Sequence, residues 1–157
     1  MTTLIARWRA LRPGTKGSAV ALALVPGALG FLASARCPMG AKQGAAVPFR
    51  PPAWAFGVVW PALYLALGVA WSLTAFARST CYWHMVPYAA CVAALTAYLP
   101  LRACWGRRKE ALWAIAVAAL AASYCVAVSE QAARLLLLPL IGWLLFAALI
   151  SAAEMRT

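Results

Sequence analysis

The sequence predicts an all-α integral membrane protein, with five transmembrane helices in a compact bundle. Three observations predict it. Of 157 residues, 66% are hydrophobic and only 11% are charged, where a soluble domain carries about a quarter charged residues. The apolar residues gather into five runs of 19 residues or more. Each run, at ~1.5 Å rise per helical residue, can cross a ~30 Å hydrocarbon core. No alternation of barrel length appears, and helices satisfy their backbone groups within the segment.

The net charge of +11 rests on only three acids, Glu110, Glu130 and Glu154. In a soluble chain it would suggest nucleic acid. Here the basic residues stand mostly at the ends of apolar runs, where membrane flanks carry them, so no nucleic-acid partner is expected and the partner is the lipid bilayer. Cys37, Cys81, Cys91, Cys104 and Cys125 form no C-x-x-C pair. They read as small buried hydrophobes, with no disulfide framework and no metal site. No soluble module of useful size remains outside the membrane domain, which is taken as residues 17–157.

Residues 1–16 form a basic flank with Arg7, Arg9, Arg12 and Lys16 and no acid. Two readings stay open: a targeting segment, or an interfacial helix with Trp8 at headgroup level. The second fits better, because Pro13-Gly14 ends the pattern after barely three turns. Helices are then expected at about 17–35, 51–77, 79–101, 111–129 and 135–155. Only the first connection, Arg36 to Arg50, is long, so consecutive helices should be antiparallel neighbours. Basic residues divide six to eight between the two sides, too near a tie to fix orientation. The fourth run is alanine-rich, which suits close packing inside the bundle or at the seam of a homodimer.

The second run carries the richest pattern. After Pro51-Pro52 it continues to Ala77 without a charge. Trp60, Tyr64 and Trp71 fall four and seven residues apart and therefore stack along one helix face, with Gly68 in the same stripe. Such a stripe is either an interfacial belt or the wall of a pocket. Trp60 lies about two turns in from Pro51, deeper than a belt residue, which favours the pocket. Trp83, His84, Trp105 and Trp113 read as interface anchors, although a histidine can ligate haem iron. Glu154, an acid on an apolar run, is a functional suspect, yet its place near the chain end suggests solvation. No Ser–His–Asp set, carboxylate pair, phosphate loop or zinc spacing is present. A binding or sensing protein is expected rather than a conventional enzyme.

The segment PPAWAFGVVWPALYLALGVAW from Pro51 to Trp71, with Leu138-Pro139-Leu140-Ile141-Gly142-Trp143 and the ending Met155-Arg156, resembles the tryptophan-rich sensory protein/translocator protein family (TspO/MBR, also called the peripheral benzodiazepine receptor family). The resemblance covers nearly the whole chain after residue 17. It implies a five-helix membrane protein, often a homodimer, whose pocket opens toward the first long loop and binds porphyrins, sterols or synthetic drug-type ligands. No cofactor is required, and porphyrin or haem enters as ligand. The ligand wall implied here is Trp54, Trp60, Tyr64, Trp143 and Ala147. Trp60 and Trp143 match the two tryptophans tied to tetrapyrrole binding and, in some bacterial members, to oxidative porphyrin breakdown. The membranes the resemblance suggests are the mitochondrial outer membrane, another organelle or a bacterial envelope.

The chain also departs from the pattern. Phe49 stands where a loop tryptophan is usual, and Leu95, Tyr98 and Arg102-Ala103 stand where the family places asparagine, tryptophan and two phenylalanines. The sterol motif's tyrosine is missing from Ser151-Ala152-Ala153-Glu154-Met155-Arg156. A tetrapyrrole is therefore favoured over a sterol or a drug-type ligand, with Arg50 and Lys42 placed to meet its carboxylates at the pocket mouth. The alternative for Arg50 is a headgroup-boundary role. The alternative for the whole chain is a divergent structural or partner-binding membrane protein without a working pocket.

Overall fold

The computed structural model describes residues 13–38, 47–76 and 82–156, and among them there is no strand. Five helices follow one another: α1 Pro13–Arg36, α2 Ala53–Ala75, α3 Val86–Leu99, α4 Arg108–Val128 and α5 Gln131–Glu154. A 3₁₀ turn, Tyr82–Met85, leads into α3, and a π-helical turn, Pro100–Cys104, extends it. All five spans have the length and apolarity to cross a membrane. The chain is a multi-pass integral membrane protein. Residues 1–12, and with them Trp8 and three of the four flank cations, lie outside the described residues.

Prolines set several of the boundaries. Pro13 opens α1 rather than closing the flank, which suits a first helical position whose N–H has no internal partner. Pro51 and Pro52 were expected in the first turn of α2. Instead Pro52 is the extended residue just before it, with ψ of 151°. Pro100 lacks the N–H that would continue α3, and the backbone widens so that Trp105 N donates to Pro100 O at 3.0 Å. Gly106, at φ 64°, then makes the turn into α4, a conformation that a residue with a Cβ rarely adopts.

In the bundle α1 lies beside α2, α2 beside α5, α5 beside α4 and α4 beside α3, with α3 closing more thinly on α1. Without a hydrophobic drive between helices in lipid, small residues must let backbones approach. A Cβ on Gly68 would lie 1.9 Å from the Ala23 carbonyl oxygen, so α1 and α2 touch backbone to backbone there. The inner face of α4 (Ala111, Ile115, Ala118, Ala122 and Cys125) is buried. Its outer face shows Trp113, Leu120 and Tyr124.

The two ends of the bundle are tied differently. At one end the Ser72 hydroxyl donates to Ala19 O at 2.6 Å, joining α2 to α1. Thr74, Tyr88 and Ser129 form a buried hydroxyl cluster, with Tyr88 to Ser129 at 2.6 Å and Tyr88 to Thr74 at 3.0 Å. Satisfied networks of this kind fix helix positions in an apolar interior. At the other end the helices part, and a disulfide joins Cys37, just past α1, to Cys104 in the π turn, with Cα atoms 5.4 Å apart. This corrects the expectation that all cysteines are small hydrophobes. Cys91 and Cys125 are buried thiols, but Cys37 and Cys104 are paired across a separation of 67 residues. The spans Ala53–Ala75 and Trp83–Cys104, of 23 and 22 residues, carry the chain away and back to one level, which spacing alone does not reveal. Cys81 lies outside the described residues.

Candidate functional site

Between the parted ends of α1, α2, α3 and α5 lies a cavity of about 600 Å³. Each helix gives it a stripe at helical spacing. Ala23, Gly27, Gly30 and Ser34 line it from α1, and their small size leaves the room. Phe56, Trp60 and Tyr64 line it from α2, together with Gly57 and Pro61. Pro61 has no N–H to give, so the Gly57 carbonyl loses its usual partner within the helix. Tyr98 and Arg102 come from the end of α3, and Ala147, Ile150, Ser151 and Glu154 from the end of α5.

Polarity is graded along the cavity. The deep part, toward the middle of the spans, is aromatic and aliphatic, with Trp60 and Tyr64 at a ring-centroid distance of 5.6 Å. Among the described residues the Tyr64 hydroxyl meets no hydrogen-bond partner. The polar groups collect at the loop end. Arg102, 7% exposed, forms an ion pair with Glu154, 8% exposed. The Arg108 guanidinium donates to the Glu154 carbonyl at 3.4 Å from beneath. Tyr98 stands beside Ser151 and this ion pair. Across from them, the Arg50 guanidinium sits 5.6 Å from the centre of the Phe56 ring, a cation–π distance.

Of the residues singled out in the sequence, Arg50, Trp60, Tyr64 and Ala147 line the cavity. Trp143 and Trp54 are not among the lining residues. Trp143 stands behind Trp60, their rings 6.3 Å apart and at 87°, and it also meets Phe56 and Phe146, each at 5.7 Å. The two indoles thus form an edge contact rather than an open slot for a flat ring. The Trp143 Nε1 is buried and has no hydrogen-bond partner among the described residues. Trp54 is 71% exposed at the start of α2, the position of an interfacial anchor. Trp71 turns away and stacks on Tyr88 at 6.2 Å, and Gly68 admits α1 rather than a ligand. Lys42 lies outside the described residues.

The sequence reading missed the polar end. Arg102 looks like one more cation closing an apolar run, and Glu154 was assigned to solvent because it is near the chain end. The structure corrects this: the π turn carries Arg102 inward, and α5 stays helical through Glu154. Glu154 on an apolar run was the usable signal, and what it lacked was a partner 52 residues earlier.

Fold and site together define a class: a multi-pass helical membrane protein with an apolar, polar-ended cavity between its helices. The TspO/MBR family model matches residues 19–156, nearly the whole chain, and the protein belongs to that family. No curated protein matches the chain.

Proposed function

We propose that the cavity binds a hydrophobic planar ligand, a tetrapyrrole, for sensing, transport or turnover. The observation that carries this reading is the cavity of about 600 Å³ beside Trp60. Such a volume lies within the range of about 300–1,000 Å³ that encloses most of a drug-sized ligand, with a few placed polar groups fixing its orientation. A macrocycle would lie against Trp60 and Tyr64 with its carboxylate edge at the loop end, near Arg50. If the bound ring is degraded oxidatively, as family resemblance implies, Trp60 is the indole that meets it, and Trp143 stands behind. The alternative, a partner-binding protein without a working pocket, has the open space beside Trp60 against it.

Protoporphyrin added to the detergent-solubilised protein is expected to quench tryptophan fluorescence saturably. Arg50→Gln should weaken binding of the free acid by about 1–3 kcal/mol, the loss of a charge-assisted hydrogen bond. The diester, which has no charge to meet, should keep its affinity. Equal losses for acid and ester would place Arg50 at the membrane edge, and the absence of saturable quenching would end the tetrapyrrole reading.

A further inference from the structure

Tyr64 is 8% exposed and lines the cavity from the middle of α2. Its ring is held on two sides. Trp60 lies at a centroid distance of 5.6 Å, and a Cβ on Gly30 of α1 would meet the Tyr64 Cζ at 2.7 Å. Packing therefore sets the hydroxyl in place, yet among the described residues it has no hydrogen-bond partner. The Tyr88 hydroxyl, by contrast, meets Thr74 and Ser129 at 3.0 and 2.6 Å. The Tyr64 oxygen is not sealed in protein and keeps contact with the cavity. A phenylalanine would fill the same space, so this oxygen adds nothing to the packing. An apolar ligand edge laid over it would strip the hydroxyl of solvent and return no hydrogen bond. An oxygen on that edge would accept the bond.

We propose that the Tyr64 hydroxyl makes this cavity selective for a tetrapyrrole with a carbonyl substituent, a formyl or acetyl group, on the edge opposite its carboxylates. The charged groups of the lining stand at the loop end, where the carboxylates lie. Tyr64 comes eleven residues after Ala53, about 16 Å farther along α2, and faces the opposite edge of the ring. A carbonyl there takes the O–H donor and brings no donor of its own that would need a partner. A site with a placed hydrogen-bond group rejects the analogue that lacks the complement, because its own group is then left unpaired. This deepens the tetrapyrrole reading and rests on it.

Two free-acid probes test this: protoporphyrin, with vinyl groups on the edge opposite its carboxylates, and diacetyldeuteroporphyrin, with acetyl groups at the same positions. Each is titrated by absorbance into wild type and Tyr64→Phe, in one detergent at pH 7. Wild type should bind the diacetyl compound roughly tenfold tighter, toward the lower end of what an unpaired buried hydroxyl costs. Tyr64→Phe should melt as wild type does and lose the preference, since the acetyl group has no donor and the vinyl group covers no hydroxyl. In the infrared, the acetyl C=O stretch of the ligand bound to wild type should lie below its value in an aprotic solvent. Wild type preferring protoporphyrin, or one preference shared by both proteins, would overturn the proposal. If Tyr64→Phe fails to fold, the stretch decides, and an unshifted band in wild type overturns the proposal equally. If wild type binds neither probe, the tetrapyrrole reading falls and this proposal falls with it. Binding of both without a preference that depends on Tyr64 overturns only the role of its hydroxyl.

Discussion

Replacing Gly68 with alanine is expected to push α1 off α2 and to cost about 2–4 kcal/mol of stability. The added Cβ would sit 1.9 Å from the Ala23 oxygen and 2.7 Å from its carbonyl carbon. Both are backbone atoms, so no side chain can rotate away and the helix itself must move. Overpacking of this kind costs about 1–3 kcal/mol, occasionally more. The displacement also lengthens the nearby Ser72-to-Ala19 hydrogen bond, a further loss of about 0.5–1.5 kcal/mol. Because α1 is one wall of the cavity, ligand affinity should fall with stability. Gly142→Ala is the control: its Cβ would meet nothing within 4 Å, and its melting temperature in detergent should match wild type. Equal melting of both variants would mean that α1 and α2 do not make the close contact described.

Breaking the Cys37–Cys104 disulfide should have the next largest effect, a loss of about 2–4 kcal/mol. Closing a loop of this length removes about 4 kcal/mol of chain entropy from the unfolded state, and a chain confined to a bilayer has less to remove. The bond matters here for its place. It joins the end of α1 to the turn after α3, the pair of walls that otherwise meet only thinly. Cys104→Ser should lower the melting temperature in detergent, and adding reductant to the variant should lower it no further. Disulfides persist in oxidising compartments, so an impermeant reductant should reach this bond from one side of sealed membranes only, the side bearing the loop ends of α1 and α3. A Cys104→Ser melting temperature equal to that of oxidised wild type would show that the staple carries no load.

The five spans were legible because lipid demands long uncharged runs, and Pro51-Pro52 and Pro100 punctuate those runs visibly. Trp60 and Tyr64 were legible as one stripe because helical spacing places them there whatever the tertiary structure. Pairing was harder to read. Trp143 matches the family pattern, but only the packing of α5 on α2 decides that it backs Trp60 in edge contact. Gly68 reads as permission for close approach, and which neighbour approaches depends on how α1 crosses α2. The Arg102–Glu154 pair and the disulfide both join residues more than 50 apart. They meet because helices of similar length return the chain to the same level, a property of the whole bundle.

The central claim, that the cavity between α1, α2, α3 and α5 holds the ligand, is tested most directly by filling it. Gly27 lines the cavity from α1, and a Cβ there would meet no atom within 4 Å, so Gly27→Trp extends into open space without forcing the helices apart. Gly142 also has room for a Cβ but does not line the cavity, so Gly142→Trp adds the same indole elsewhere. Absorbance titrations with protoporphyrin should show an affinity loss of at least about tenfold for Gly27→Trp, equivalent to ~1.4 kcal/mol. Gly142→Trp should bind as wild type does. Unchanged affinity in Gly27→Trp, with the protein folded, would mean that the ligand binds elsewhere and would contradict the account.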